Sequence, residues 1–253
     1  MKKPRSHLSG LPLIAVIFSF APVAMNGQGS FQNLSFQCAD PVPIAGSPYY
    51  PYAVTPASAF PDWTLYIGGV QPDQVFYNDE ALGSASIDIL GLNSQNGNPI
   101  AGPYSAVLQS GAVTVGSSFD FEPASIEQTG TIPADAQYLE YDAALEVNYL
   151  SVTFDGVGLA PMALGTGVGP TGLAYTIYGA YVGNFAGETG PLEFAENLGS
   201  IVPPDPANVE IADVQFTTEA VPEGNTVALM AVGGILLLPF IFNARARKRE
   251  GAS

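Results

Sequence analysis

Basic side chains are missing from almost the whole of this 253-residue chain. Its seven Lys and Arg sit at the two ends, as Lys2, Lys3 and Arg5 and then Arg245, Arg247, Lys248 and Arg249. The one histidine is His7. Every one of the 23 acidic residues except Glu250 lies between those ends. Nucleic-acid binding is therefore excluded for the interior, because it draws on Lys and Arg that displace phosphate counterions. Phosphoryl transfer loses its usual cationic clamps. Ser–His–Asp and Cys–His catalysis lose their base. Zinc sites lose histidine and all cysteines but Cys38. One cysteine also excludes an internal disulfide. Carboxylate, amide, hydroxyl and aromatic chemistry remain.

The ends read as addresses. Three positive charges precede the apolar run Leu11–Phe20, which is too short to span a bilayer as a helix and has the layout of a secretory signal over residues 1–29. Small residues in Ala24–Gly29 suit cleavage. A second apolar run, Thr226–Phe242, is roughly 25 Å long as a helix, the short end of a membrane span. The basic tail 243–253 follows it at once, so by the positive-inside rule the tail is cytoplasmic and the body lies outside.

Val221-Pro222-Glu223, the span at 226–242 and the cluster Arg245, Arg247, Lys248, Arg249 together resemble a PEP-CTERM sorting signal. Gly224 stands where that family usually has a second proline. The resemblance implies an exosortase-type sorting enzyme as partner, membrane anchoring through the C-terminal helix, and then release to the cell surface or extracellular matrix. Residues 219–225 would be a short linker carrying the motif.

The body, residues 30–218, is long enough for one hydrophobic core. Short runs of alternating apolar residues separated by Gly, Pro, Asn and Asp predict an all-β domain, a sandwich or jelly roll. Leu34, Phe36 and Cys38 alternate, which predicts a strand with Cys38 buried. Further strands are predicted at Leu65 and Ile67 after Trp63, and at Ser84–Leu90, Tyr104–Gln109, Ala124–Gln128, Gln137–Glu146, Tyr149–Phe154, Leu173–Tyr181, Leu192–Ala195 and Val209–Phe216. Pro41–Pro61 and Asn93–Pro103 read as long loops. Glu140, Asp142 and Glu146 alternate, which predicts a solvated strand face.

Several phrases, in order, resemble the galactose-binding-like jelly roll of many carbohydrate-binding modules. They are Asn33-Leu34-Ser35-Phe36-Gln37, Gly102-Pro103-Tyr104-Ser105, Ala124-Ser125-Ile126-Glu127-Gln128, Tyr175-Thr176-Ile177-Tyr178 and Ile211-Ala212-Asp213-Val214. The resemblance implies a structural calcium joining the first and last strands, with Gln37 and Asp213 at two of its ligand positions. Gln37 replaces a Glu and Ala212 replaces an Asp, so the implied site is weakened or absent. No other cofactor is implied.

Sugars stack on aromatic faces, and Tyr49, Tyr50, Tyr52, Trp63 and Tyr66 are concentrated early in the chain. Tyr50, Trp63 and Tyr66 are the candidate carbohydrate-binding residues. Glycoside hydrolysis needs a pair of carboxylates, but in so acidic a chain some pair always falls at suitable spacing, and no catalytic residue stands out. The expectation is a non-enzymatic exported surface protein, a structural or glycan-binding part of a polysaccharide matrix. The alternatives are a surface glycosidase and a calcium-dependent self-associating coat. A body of one charge sign repels itself and is relieved by screening. Raising NaCl from about 10 mM to about 1 M should therefore raise the thermal midpoint by several degrees; a flat or falling midpoint in calorimetry contradicts this.

Overall fold

The computed structural model describes residues 29–79, 84–92, 98–115, 118–197 and 208–219. The signal segment, the sorting motif Val221, Pro222 and Glu223, the apolar span and Arg245, Arg247, Lys248 and Arg249 lie outside the described residues. Among the described residues no helix is long and apolar enough to cross a membrane.

The body is a β-sandwich. In chain order its elements are β1 (Ala53–Val54), the single turn α1 (Pro56–Ala59), β2 (Thr64–Ile67), β3 (Val75–Tyr77), β4 (Ser86–Gly91), β5 (Tyr104–Gln109), β6 (Gly111–Val115), β7 (Ser118–Glu122), β8 (Ala124–Thr131), β9 (Tyr138–Leu145), β10 (Leu150–Phe154), β11 (Val157–Gly158), β12 (Pro161–Val168), β13 (Ala174–Tyr181), β14 (Thr189–Glu196) and β15 (Asn208–Thr217). One sheet has the order β1-β3-β4-β5-β15-β9-β13-β12 and the other β11-β10-β14-β8-β2, while β6 and β7 form a separate hairpin. Neighbours pair antiparallel except β3 and β4.

Alternation explains the core. Successive strand side chains point to opposite faces, so Leu192 and Phe194 of β14 turn inward, as do Leu139, Tyr141 and Ala143 of β9. The two sheets meet where the Phe194 ring stands edge-on to Tyr141, with centroids 5.3 Å apart. Trp63 also packs on Phe194, with centroids 6.3 Å apart.

The segment around Leu34 and Phe36 is not a strand. Asn33 and Phe36 have φ of 48° and 61°, the left-handed region of turns. Asn33 organises the turn: its Oδ1 accepts from the Cys38 N–H at 2.8 Å and its Nδ2 donates to the Pro61 carbonyl at 3.1 Å. Its own carbonyl accepts from the Trp63 indole at 3.1 Å. Both Leu34 and Phe36 still reach the core, but Cys38 is exposed rather than buried. The predicted loop Pro41–Pro61 holds only β1 and α1. The edge strand β12 escaped prediction because Gly165 and Gly167 break its alternation. Gly167 lies under the Tyr175 ring, and a Cβ there would stand 2.2 Å from it, so the ring would have to shift.

Truncating the ring that joins the sheets, Phe194→Ala, should cost about 3–5 kcal/mol. Urea unfolding checks it, and a loss below about 1 kcal/mol would mean that this contact does not hold the sandwich together.

Candidate functional site

The outer face of the larger sheet carries the most unusual chemistry. Its central strand β9 points Glu140, Asp142 and Ala144 outward, opposite the core residues between them. These positions are buried, not solvated: Glu140 is 1% exposed and Asp142 7%. The predicted solvated face is therefore corrected, except at Glu146, which is exposed. The segment at 98–103 covers the neighbouring end of this face. Ile100 packs on Ala144 and Ala212, joined by Ala101 and Tyr175. Glu210 fastens that segment down, its carboxylate accepting from the Ile100 N–H at 3.0 Å and from the Ser105 hydroxyl.

Asp142 lies in a row between Ala212 of β15 and Ile177 of β13. Next to it the register of β15 shifts between Ala212 and Gln215, and Asp213 takes a left-handed φ of 48° in that bulge. The bulge leaves Asp213 exposed beside Asp142. Burial pushes the Asp142 carboxyl up to about 7, and the charges of Asp213 and then Glu140 add to the rise. Tyr175 is raised by its own burial and by Asp142 and Asp213. Glu140 is steadied by the Thr217 hydroxyl, which donates to it at 3.0 Å. The face thus offers a carboxyl able to stay protonated near neutral pH, next to other carboxylates and a tyrosine.

The candidate residues named from sequence scatter. Trp63 is withdrawn from sugar stacking: it is 8% exposed, with Phe36 at 5.4 Å and Phe194 against its ring. Tyr66 lies on the outer face of the smaller sheet, half-buried, in a row with Ser125, Ala195 and Ser151. Tyr50 is 61% exposed in the Pro-rich segment, between exposed Tyr49 and Tyr52. Gln37 donates its amide to the Ser35 carbonyl at 2.7 Å and lies against Gly102. Asp213 stands beside Asp142 and Tyr175. Among the described residues no group of three or more His, Cys, Asp or Glu is arranged to hold a metal ion.

No protein-family model, curated protein or solved structure matches this chain.

Sequence reasoning missed the burial of Asp142 because its neighbours on the sheet, Ala212, Asp213 and Tyr175, lie far from it in the chain. The only signal was the alternation that puts it on the same face as Glu140. The pH consequence has a definite sign. Below the ordinary carboxyl range, folded and unfolded chains both hold the Asp142 proton. Between that range and about 7 only the folded chain holds it, so the stabilisation it contributes is lost as pH rises through about 7. Wild-type stability should fall between about pH 4 and pH 8, and Asp142→Asn should make the fall shallower by about 1–3 kcal/mol. Parallel profiles in urea titrations would contradict it.

Proposed function

We propose that this chain is an exported, non-enzymatic surface protein whose body is a structural or glycan-binding component of an extracellular polysaccharide matrix. The carrying observation is the trio Tyr49, Tyr50 and Tyr52, all exposed on one Pro-rich segment next to β1. The Tyr49 ring is held edge-on by Phe76 with centroids 5.5 Å apart. Exposed tyrosines anchored by packing present apolar faces to a sugar at small entropic cost. Tyr66, on the smaller sheet, is a further aromatic contact.

The strand order supports a jelly-roll body. The run β5-β15-β9-β13 stands in one sheet and β8-β14-β10-β11 in the other, the pattern left when two Greek keys fold over each other. Delivery rests on the N-terminal signal and on the resemblance of Val221-Pro222-Glu223, the apolar span and the basic tail to a PEP-CTERM signal. The partners would be an exosortase-type enzyme, the membrane until processing, and polysaccharide. No cofactor is required for this role.

A second reading, a surface carbohydrate-active enzyme, is favoured by Asp142, a carboxyl raised to about 7 beside Glu140 and Asp213. Affinity gels of the full-length chain against neutral and acidic polysaccharides separate the two. Retardation by one polysaccharide, lost in Tyr50→Ala and kept in Asp142→Asn, is the expected result. Release of reducing ends that Asp142→Asn abolishes would replace the first reading with the second. No retardation and no release would leave a self-associating coat.

A further inference from the structure

Four strand ends converge at one end of the sandwich. Ser110 follows β5, Glu146 follows β9, Glu196 ends β14 and Asn208 opens β15. Glu196 belongs to the inward set of β14, after Leu192 and Phe194, so a carboxylate stands where an apolar side chain would be usual. It is 0% exposed, and neither of its oxygens completes a hydrogen bond. The hydroxyl and N–H of Ser110 lie close enough to ease its burial in part, yet its pKa is still pushed up to about 7, mainly by desolvation and further by Glu146. A bare buried carboxylate is costly unless something positive pairs with it. No described residue is Lys, Arg or His.

The surroundings are rich in acceptors and poor in donors. The Glu146 carboxylate accepts from the Asn208 N–H at 3.0 Å, and the Glu146 N–H donates to the Asn208 carbonyl at 2.9 Å. The Asn208 side-chain Oδ1 is buried without a donor. Two carboxylates, an amide oxygen and a hydroxyl are hard oxygen ligands of the kind calcium selects. We propose that Glu196 and Glu146, with Ser110 and the Asn208 amide oxygen, form a binding site for a hard divalent cation of the calcium class. The site is separate from Gln37 and Asp213 and does not depend on glycan binding. A cation here would relieve the Glu146–Glu196 repulsion and fasten β5, β9, β14 and β15 together at their ends.

The test is thermal unfolding of the full chain near pH 7.5 at fixed ionic strength, with CaCl2, with MgCl2 and with chelator. Calcium should raise the midpoint saturably and more than magnesium does. The rise should vanish in Glu196→Gln, persist in Asp213→Asn, and weaken on acidification as protons compete for Glu196. Should Glu196→Gln not fold, isothermal titration of calcium onto Glu146→Gln, an exposed position, carries the test with roughly tenfold weaker affinity expected. The proposal is overturned by the absence of a saturable calcium effect, or by calcium affinity that survives both substitutions. It is also overturned if Glu196→Gln stabilises the chain above pH 7 while wild type ignores calcium, which would mean that a proton alone satisfies Glu196.

Discussion

The whole body is built under one electrostatic constraint: it buries carboxylates and has no cationic side chain to pair with them. Asp88, Glu140, Asp142, Glu196 and Glu210 are all buried, and they do not meet that constraint alike. Glu210 recruits a backbone N–H and a hydroxyl. Glu140 recruits the Thr217 hydroxyl. Asp142 is relieved by holding its proton into the neutral range. Glu196 has neither a full hydrogen bond nor a counter-charge, which makes it the least compensated group among the five. Cohesion must come from the aromatic and aliphatic layer between the sheets, because no ion pair can form among the described residues.

The Glu210 carboxylate connects fold to site. By binding the Ile100 N–H it draws the segment at 98–103 over the larger sheet, and Ile100 then excludes water from Ala144 and Ala212. Asp142 lies in register with Ala212, a member of that second small apolar cluster, so the acid borders a covered apolar patch. Gly167 lies under the Tyr175 ring, which packs on the same cluster and stands near Asp142.

Most strands were legible because inward and outward residues differ in polarity. Tyr104–Gln109 was predicted with the bounds that β5 has, and β9, β13 and β15 came within a residue or two. The failures share a cause. Alternation also arises in a turn when an Asn side chain bridges it, as at Asn33, so Leu34 and Phe36 imitated a strand. Alternation disappears when glycines serve close packing, as in β12. Of the candidate site, Tyr50 could be read as exposed from its Pro-rich setting, whereas the burial of Trp63 and Asp142 depended on partners remote in sequence.

The sequence by itself determined the charge regime, the β character and the exclusion of histidine, lysine and arginine chemistry from the body, because these follow from composition and from a period of two. Only the tertiary structure decided which acids lose their water. Desolvation depends on what lies above a residue rather than on what precedes it. The neighbours of Asp142 on β13 and β15 and the convergence of four strand ends around Glu196 join residues far apart in the chain, and local pattern carries no information about them.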